Sequence, residues 1–208
     1  MKAHQCSLRQ GWLRRGPAAV GALAVLAALL LAGCSGSGGG STGSGPAASS
    51  AAGPATPSSV AMITVRSPAF AAGATIPVRF SCRGSNAPIP LTWTGVPTGA
   101  ASVALIMDDP DAPSGTFTHW VVFNLPVTSH GIANGRIPAG AAQAQNGRGQ
   151  AAYTGPCPPS GTHHYRFTVY AEPKKLSLQD GAPLEQALSA IKANPISSGR
   201  LTGLFGSG

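Results

Sequence analysis

The apolar run SVALIM at residues 102–107 passes directly into the acidic, proline-rich stretch DDPDAPS at residues 108–114. A short continuous apolar run bounded by turn-forming residues is typical of a buried strand. An acidic cluster at the end of such a strand is costly unless its carboxylates accept hydrogen bonds or meet a cation. Because two prolines stiffen this loop, we expect Asp109 and Asp111 to be held in fixed positions.

Other segments around this run predict further strands and a single helix. β-rich segments bounded by Pro or Gly occur at residues 62–65 (MITV), 75–80 (TIPVRF), 121–123 (VVF) and 165–170 (YRFTVY). A helical pattern covers residues 183–193, with Leu184, Leu188 and Ile191 on one face. The sequence therefore predicts a mostly β, antiparallel domain with an appended helix. Two residues expected in its core are Trp93 and Trp120.

A second polar loop, YTGPCPPSG at residues 153–161, leads into a predicted strand. His163 and Tyr165 share one face of that strand because side chains alternate along it, and His164 faces solvent on the other side. We expect His163 and Tyr165 to converge with His119 and the acidic loop in one pocket.

The N-terminal residues 1–33 have the form of a secretion signal, with basic residues followed by a short apolar stretch. That stretch is shorter than the ~20 residues that a spanning helix needs. It ends in LAGC at residues 31–34, which resembles the lipobox of bacterial lipoproteins, where the cysteine receives a lipid and becomes the first mature residue. An ordinary signal followed by a chance cysteine is the alternative. The lipobox implies attachment to the cell membrane through Cys34, on its extracytoplasmic face.

The chain after Cys34 falls into two parts. Residues 35–59 contain only Ser, Gly, Ala, Thr and Pro. This composition cannot bury enough apolar surface to form a core, so residues 34–59 are interpreted as a lipidated cysteine and a flexible tether. Residues 60–208 are long enough for one domain with its own core.

The formal net charge of +8 does not mark a nucleic-acid-binding protein. Fourteen Lys and Arg stand against six Asp and Glu, but four of the basic residues lie before residue 16, where there is no acidic residue. The later chain has no run of Lys and Arg and no aromatic residues interleaved with basic ones, as a stacking groove would require. We therefore expect no nucleic-acid partner.

Two cysteines remain for the folded domain. Cys82 and Cys157 are candidates for one disulfide outside the cytoplasm, or for two buried, unpaired thiols. Their separation of 75 positions does not match the clustered ligands of a structural zinc site.

Four motifs in order resemble the phosphatidylethanolamine-binding protein family, and most closely its bacterial, Raf-kinase-inhibitor-like branch. They are DPDAPS at 109–114, HWVVFN at 119–124, GPCPPSG at 155–161 and HxY at 163–165. The resemblance extends to FSCRG at 80–84 and LTWTGVP at 91–97. It implies a large central antiparallel sheet flanked by a smaller sheet and by helix.

The resemblance also implies a small surface pocket for phosphate, acetate, cacodylate or anions like a phospholipid headgroup. Imidazole, phenol and loop amide groups would supply its hydrogen-bond donors. The residues that match the family's pocket are Asp109, Asp111, His119, His163, Tyr165, and the backbone of Gly155, Pro156, Cys157 and Pro158.

Two segments depart from the family's pattern. The usual Gly-Arg-Asn-Asp-Phe-Gly signature reads AQNGRG at residues 144–149, with only the Asn and the second Gly in register. Arg83 stands where an Asp is common. The first departure puts pocket contacts from residues 144–149 in doubt.

Each candidate also has a structural interpretation. Asp109 in an Asx-type turn, or Asp111 beside it, would only brace the loop. His119 and His163 would be core groups with satisfied hydrogen bonds, and Tyr165 a core residue.

Three function classes fit these residues. The first is a membrane-anchored binding protein for a small anion or phospholipid headgroup, and the second is a regulator of an envelope protein such as a protease. The third is a metal-dependent hydrolase built from Asp109, Asp111, His119 and His163. The one G-x-S-x-G match, at residues 39–43, lies in the predicted tether and not at a strand-to-helix turn. Because residues 60–208 have neither a nucleophile elbow of this kind nor a paired-His zinc motif, we favour binding and expect no enzyme, cofactor or metal.

Overall fold

This computed structural model describes residues 62–208, which contain eight strands, one α-helix and one 3₁₀ helix joined by loops. In chain order they are β1 (Thr64–Arg66), the 3₁₀ helix (Val78–Phe80), β2 (Leu91–Thr94), β3 (Ser102–Asp109), β4 (Phe117–Leu125), β5 (Gly131–Ile132), β6 (Ala142–Gln143), β7 (Thr162–Glu172), α1 (Leu184–Ala193) and β8 (Ser197–Gly206). The predicted signal, the lipidated Cys34 and the predicted tether lie outside the described residues. No helix within residues 62–208 has the length and apolar character needed to cross a bilayer.

The strands form two antiparallel sheets. The smaller sheet has the order β1-β2-β5, and the larger has the order β6-β4-β3-β7-β8. The predicted architecture is confirmed: the chain is mostly β, with a large central sheet, a smaller sheet and a late helix. The predicted helix at residues 183–193 is α1, which begins one residue later.

Strand β3 lies at the centre of the larger sheet and is buried along its whole length. Leu105 and Met107 pack into the core that also holds the smaller sheet, whereas Ala104 and Ile106 pack into the core under α1. A strand covered on both faces needs apolar side chains at every position, which explains the continuous SVALIM run.

Two apolar cores therefore flank the larger sheet. The core on the side of the smaller sheet contains Trp93 and Trp120, each about 1% exposed, which confirms their predicted burial. The second core is closed by α1, which buries Ala187 and Ile191 against the sheet.

The prediction of a strand at residues 75–80 is wrong. Only Thr75 makes a bridge, to Leu204, and the chain then turns into the 3₁₀ helix. Pro77 fixes φ and has no N–H for a ladder, and its carbonyl accepts a hydrogen bond from the Phe80 amide at 3.0 Å. Proline thus starts a turn where the apolar pattern indicates a strand.

Candidate functional site

A cavity of about 150 Å³ lies at the end of the larger sheet where β3 ends and where β4 and β7 begin. Its volume equals that of roughly five water molecules in the liquid, so it suits a group the size of phosphate or carboxylate. Its lining residues are Asp109, Ala112, Pro113, Phe117, His119, Arg148, Thr154, Gly155, Cys157, Pro158, Pro159, His163 and Tyr165.

The register of the larger sheet brings the two predicted polar loops together at these strand ends. Asp109 at the end of β3 pairs with Phe117 at the start of β4. On the other side of β3, Asp108 pairs with Arg166 near the start of β7. The ends of β3, β4 and β7 that carry polar residues therefore meet at one place, as the sequence predicted for His119, His163 and Tyr165.

Each carboxylate that follows the apolar run has a partner on β7. Arg166 donates from Nε and Nη2 to Asp108 at 2.7 and 2.8 Å. The partners are Arg166 for Asp108, His163 for Asp109 and His164 for Asp111. This pairing offsets the cost of placing an acidic cluster at the end of a buried strand.

The Asp109 carboxylate accepts hydrogen bonds both from His163 and from the loop that follows β3. His163 Nδ1 donates to Asp109 Oδ2 at 2.8 Å, and both residues are buried. The Asp111 amide donates to Asp109 Oδ1, also at 2.8 Å. Asp109 therefore fixes the orientation of the His163 ring and leaves Nε2 of that ring for a ligand.

His119 is held by the second loop. Its Nδ1 donates to the Thr154 carbonyl at 2.7 Å, and the Thr154 amide donates to the His119 carbonyl at 3.0 Å. Burial lowers the pKa of His119, and the hydrogen bond to Thr154 only partly opposes this. The ring is therefore neutral near pH 7, with Nδ1 protonated and Nε2 an acceptor.

Tyr165 forms the floor of the cavity. It is fully buried, and the rings of His119 and Tyr165 meet edge to face at 5.2 Å between centroids. Burial, and then the charge of Asp109, raise the pKa of the phenol, so it stays protonated. Asp109 and the Cys157 backbone lie near the hydroxyl, but it has no partner with good hydrogen-bond geometry.

The second loop is fixed by the early part of the domain. Cys82 and Cys157 form a disulfide with a Cα–Cα distance of 5.5 Å, so the structure contains the first of the two alternatives that the sequence left open. The Gly155 amide donates to Asn86 Oδ1 at 2.7 Å, and the Pro156 carbonyl accepts from the Cys82 amide at 3.1 Å. A side chain at Gly155 would overlap the Phe80 carbonyl oxygen, which explains the glycine.

These contacts revise the expected role of the loop backbone. Pro156 and Pro158 have no N–H, and the Gly155 N–H is already donated to Asn86. Cys157 is thus the one residue of the four whose amide could serve a ligand. Pro156 itself does not line the cavity, whereas the other three do.

Asp111 lies outside the cavity lining, contrary to the prediction. Its Oδ2 accepts from the His164 amide at 2.7 Å and from His164 Nδ1 at 2.8 Å. These hydrogen bonds lower the pKa of the Asp111 carboxyl. His164 is exposed, as predicted, and holds Asp111 at the surface, so Asp111 braces the loop that carries Asp109.

Six lining residues were missed by the sequence reasoning. Ala112, Pro113, Thr154 and Pro159 lie within the two polar loops already identified, and Phe117 lies two residues before His119. Arg148 belongs to residues 144–149, where loss of the family signature put pocket contacts in doubt, so the sequence did not assign it to the cavity. Across residues 62–208, no group of three or more His, Cys, Asp or Glu could hold a metal ion.

A protein-family model described as phosphatidylethanolamine-binding protein matches residues 66–206. The chain belongs to the phosphatidylethanolamine-binding protein family. Every residue that lines the cavity lies inside the matched range.

Three known proteins show the similarity of the chain in sequence and in structure. LppC of Mycobacterium tuberculosis, named as a candidate lipoprotein, is 48% identical over 145 residues, which are 69% of this chain and 72% of LppC. The crystal structure of CT736 from Chlamydia trachomatis, a candidate phosphatidylethanolamine-binding protein homologue, matches with a TM-score of 0.65 and 36% identity, over 69% of this chain and 97% of CT736. E. coli YbcL, described as a new member of the mammalian family, matches with a TM-score of 0.65 and 31% identity, over 70% and 99%.

Proposed function

We propose that this chain is a binding protein whose cavity takes a small oxyanion, such as phosphate, a phospholipid headgroup or a carboxylate. One observation carries the proposal: two buried imidazoles and a buried phenol line a cavity of about 150 Å³, and Asp109 orients one imidazole. Buried polar groups that line a small cavity are costly unless a ligand or water satisfies them.

The cavity chemistry favours binding over covalent catalysis. Cys157 offers no thiolate nucleophile because its sulfur is in the disulfide. The Thr154 hydroxyl already accepts a hydrogen bond from Asn146 Nδ2 at 2.9 Å. Among residues 62–208, no hydrogen bond joins this hydroxyl to an imidazole that could activate it, and the contact of His119 with Thr154 is to the carbonyl.

We also propose that the protein acts at the extracytoplasmic face of the cell membrane, anchored through lipid on Cys34. The lipobox-like LAGC at residues 31–34 supports this location. The similarity to LppC adds support, because LppC is named as a candidate lipoprotein. At that location the cavity would meet headgroups and small anions of the envelope.

Calorimetric titration of the full chain with inorganic phosphate and with phosphoethanolamine tests the pocket. We expect saturable binding of both, because the Tyr165 hydroxyl can donate to their oxygens and the His119 Nε2 can accept their acidic proton in a cavity of matching size. His163→Ala and His119→Ala should each weaken binding about tenfold or more, since a hydrogen bond to a charged group contributes about 1.5–3 kcal/mol. The control is His130→Ala, an exposed histidine that does not line the cavity. Equal affinity in the wild type and in both cavity variants would refute the pocket assignment.

A further inference from the structure

Arg148 is the one lysine or arginine among the residues that line the cavity. Asp109 contributes a negative charge, and burial keeps His119 neutral by lowering its pKa. Without Arg148, the cavity would therefore contain no residue that is always cationic. An anion site with a buried carboxylate needs such a charge to offset the repulsion.

A tight turn fixes the backbone that carries Arg148. The Asn146 side chain organises it: Oδ1 accepts from the amides of Arg148 at 2.8 Å and Gln150 at 3.2 Å. Asn146 Nδ2 donates to the Ala152 carbonyl and to the Thr154 hydroxyl, at 2.8 and 2.9 Å. Asn146 is about 1% exposed, so a buried side chain holds this loop.

The same turn lies directly against the wall of the cavity. A Cβ at Gly147 would come within 2.5 Å of the Phe117 ring, so only glycine allows this approach. Phe117 in turn meets the His119 ring edge to face at 4.7 Å. The position of Arg148 is therefore coupled through packing to the histidine of the cavity.

The Arg148 guanidinium has no carboxylate within ion-pair distance among residues 62–208. Its side chain is exposed at the rim, and its positive charge adds to the effect of burial in lowering the pKa of His119. Its charge thus acts on the cavity without being neutralised by a protein partner. A guanidinium that has no carboxylate partner is suited to two parallel hydrogen bonds with an oxyanion.

We propose that Arg148 makes the cavity selective for phosphomonoesters over phosphodiesters and carboxylates. The inference rests on the proposed anion-binding function. A phosphomonoester has three terminal oxygens, so two can meet the Arg148 fork while the third meets the buried donors. A carboxylate or a phosphodiester has only two terminal oxygens, so it cannot make both contacts with the Arg148 fork and reach the floor at the same time.

His119 adds a second reason for this preference. Its neutral ring offers Nε2 as an acceptor because Nδ1 donates to the Thr154 carbonyl. A phosphomonoester with a second pKa near 6 carries a proton on part of its population at neutral pH and can donate it to Nε2. A phosphodiester has no such proton, and neither does a carboxylate at that pH.

Titration of the full chain with methyl phosphate, dimethyl phosphate and acetate, at one fixed salt concentration, tests the inference. We expect the wild type to bind methyl phosphate at least tenfold more tightly than the other two anions. Arg148→Gln should lose about tenfold for methyl phosphate and less than about threefold for acetate, because only the monoester uses both rim and floor. Arg136→Gln removes the same charge from an exposed loop outside the cavity, and should leave all three affinities unchanged.

An NMR titration of His119 separates a charge effect from a change of loop structure. Arg148→Gln should raise the pKa of His119, whereas Arg148→Lys should keep it near the wild-type value while losing the bidentate contact. A preference for methyl phosphate that is unchanged in Arg148→Gln would overturn the role of Arg148. In that case, loss of phosphate binding in His163→Ala would still support the proposed function. A wild type that binds none of the three anions would overturn both.

Discussion

Asp109 ends β3 and Asp111 lies two positions later in the following loop, and their different burial gives them different roles. Asp109 is about 3% exposed and holds His163 inside the cavity. Asp111 is exposed and holds His164 at the surface. The Asp111 amide also donates to Asp109, so the outer residue supports the inner one. A substitution at Asp111 would therefore reach the cavity only through the loop.

Glu172, at the end of β7, makes the stability of the fold depend on pH. It is about 2% exposed, its Oε1 has no hydrogen-bond partner, and burial raises the pKa of its carboxyl to about 7. In the unfolded chain the pKa is near 4.3. The folded state therefore keeps a proton that the unfolded state loses, so stability falls as the pH rises from about 4.3 to 7 and levels off above that.

Glu172→Gln should remove this loss, because glutamine has no proton to release. Relative to the wild type, we expect the variant to gain about 2–3 kcal/mol in unfolding free energy between pH 4 and pH 8. Urea denaturation at pH 4, 6 and 8 measures the gain. Glu185→Gln, at an exposed position on α1, is the control and should change the pH profile little. A wild-type profile that is retained by Glu172→Gln would contradict the assignment.

The sequence could predict the inner cavity residues but not its rim. Asp109, His119, His163 and Tyr165 lie in motifs whose order and strand alternation bring them together. Arg148 lies in a segment without periodicity, and it is placed beside the cavity by the side-chain contacts of Asn146 and by the contacts of Gly147 with Phe117 and Thr118. Side-chain to backbone contacts of this kind leave no pattern in the sequence.

At the scale of secondary structure, the predictable elements are those with a strong periodic or continuous apolar pattern. The SVALIM run predicted β3 because both of its faces are buried, and the stripe on α1 predicted the helix. β8 was missed because glycines occupy two of its five buried positions, Gly199 and Gly203. Glycine has no side chain to contribute to an apolar pattern, although it is what allows close packing there.

At Gly199, β8 lies directly against the residue that precedes β1. A Cβ at this position would overlap the carbonyl oxygen of Ile63, at the residue before β1. Gly199→Ala should therefore force the two sheets apart and cost about 2–4 kcal/mol in unfolding free energy. Gly206→Ala, in the same strand, is the control, since its Cβ would meet the Thr162 hydroxyl at 3.1 Å and the Gly161 carbonyl oxygen at 3.6 Å, without overlap. Equal denaturation midpoints for the two variants would show that the sheets can separate without loss.

For the whole molecule, the charge of +8 divides into two parts with different consequences. Half of it belongs to four basic residues in the predicted signal, and the rest of the chain has ten basic and six acidic residues. A net charge of +4 over such a length is too dilute to select a ligand by long-range attraction. Under the proposed function, anion selectivity would therefore come from short-range contacts at the cavity, where Arg148 is the lining residue that is always cationic.

The proposed anchor gives the last prediction, because it determines which ligands the cavity can reach. If Cys34 is lipidated, the mature chain begins at Cys34 and carries a diacylglycerol, so it fractionates with membranes. Cys34→Ser should abolish the lipid-bearing N-terminal peptide and reduce the membrane-bound fraction, as measured by mass spectrometry and fractionation of expressing bacteria. A retained, uncleaved precursor is distinguished by its greater mass. Cys6→Ser changes a cysteine inside the predicted signal and should leave the lipidated peptide intact. A wild-type N-terminus at any other residue, or one without lipid, would contradict the anchor and leave the cavity free to act away from the membrane.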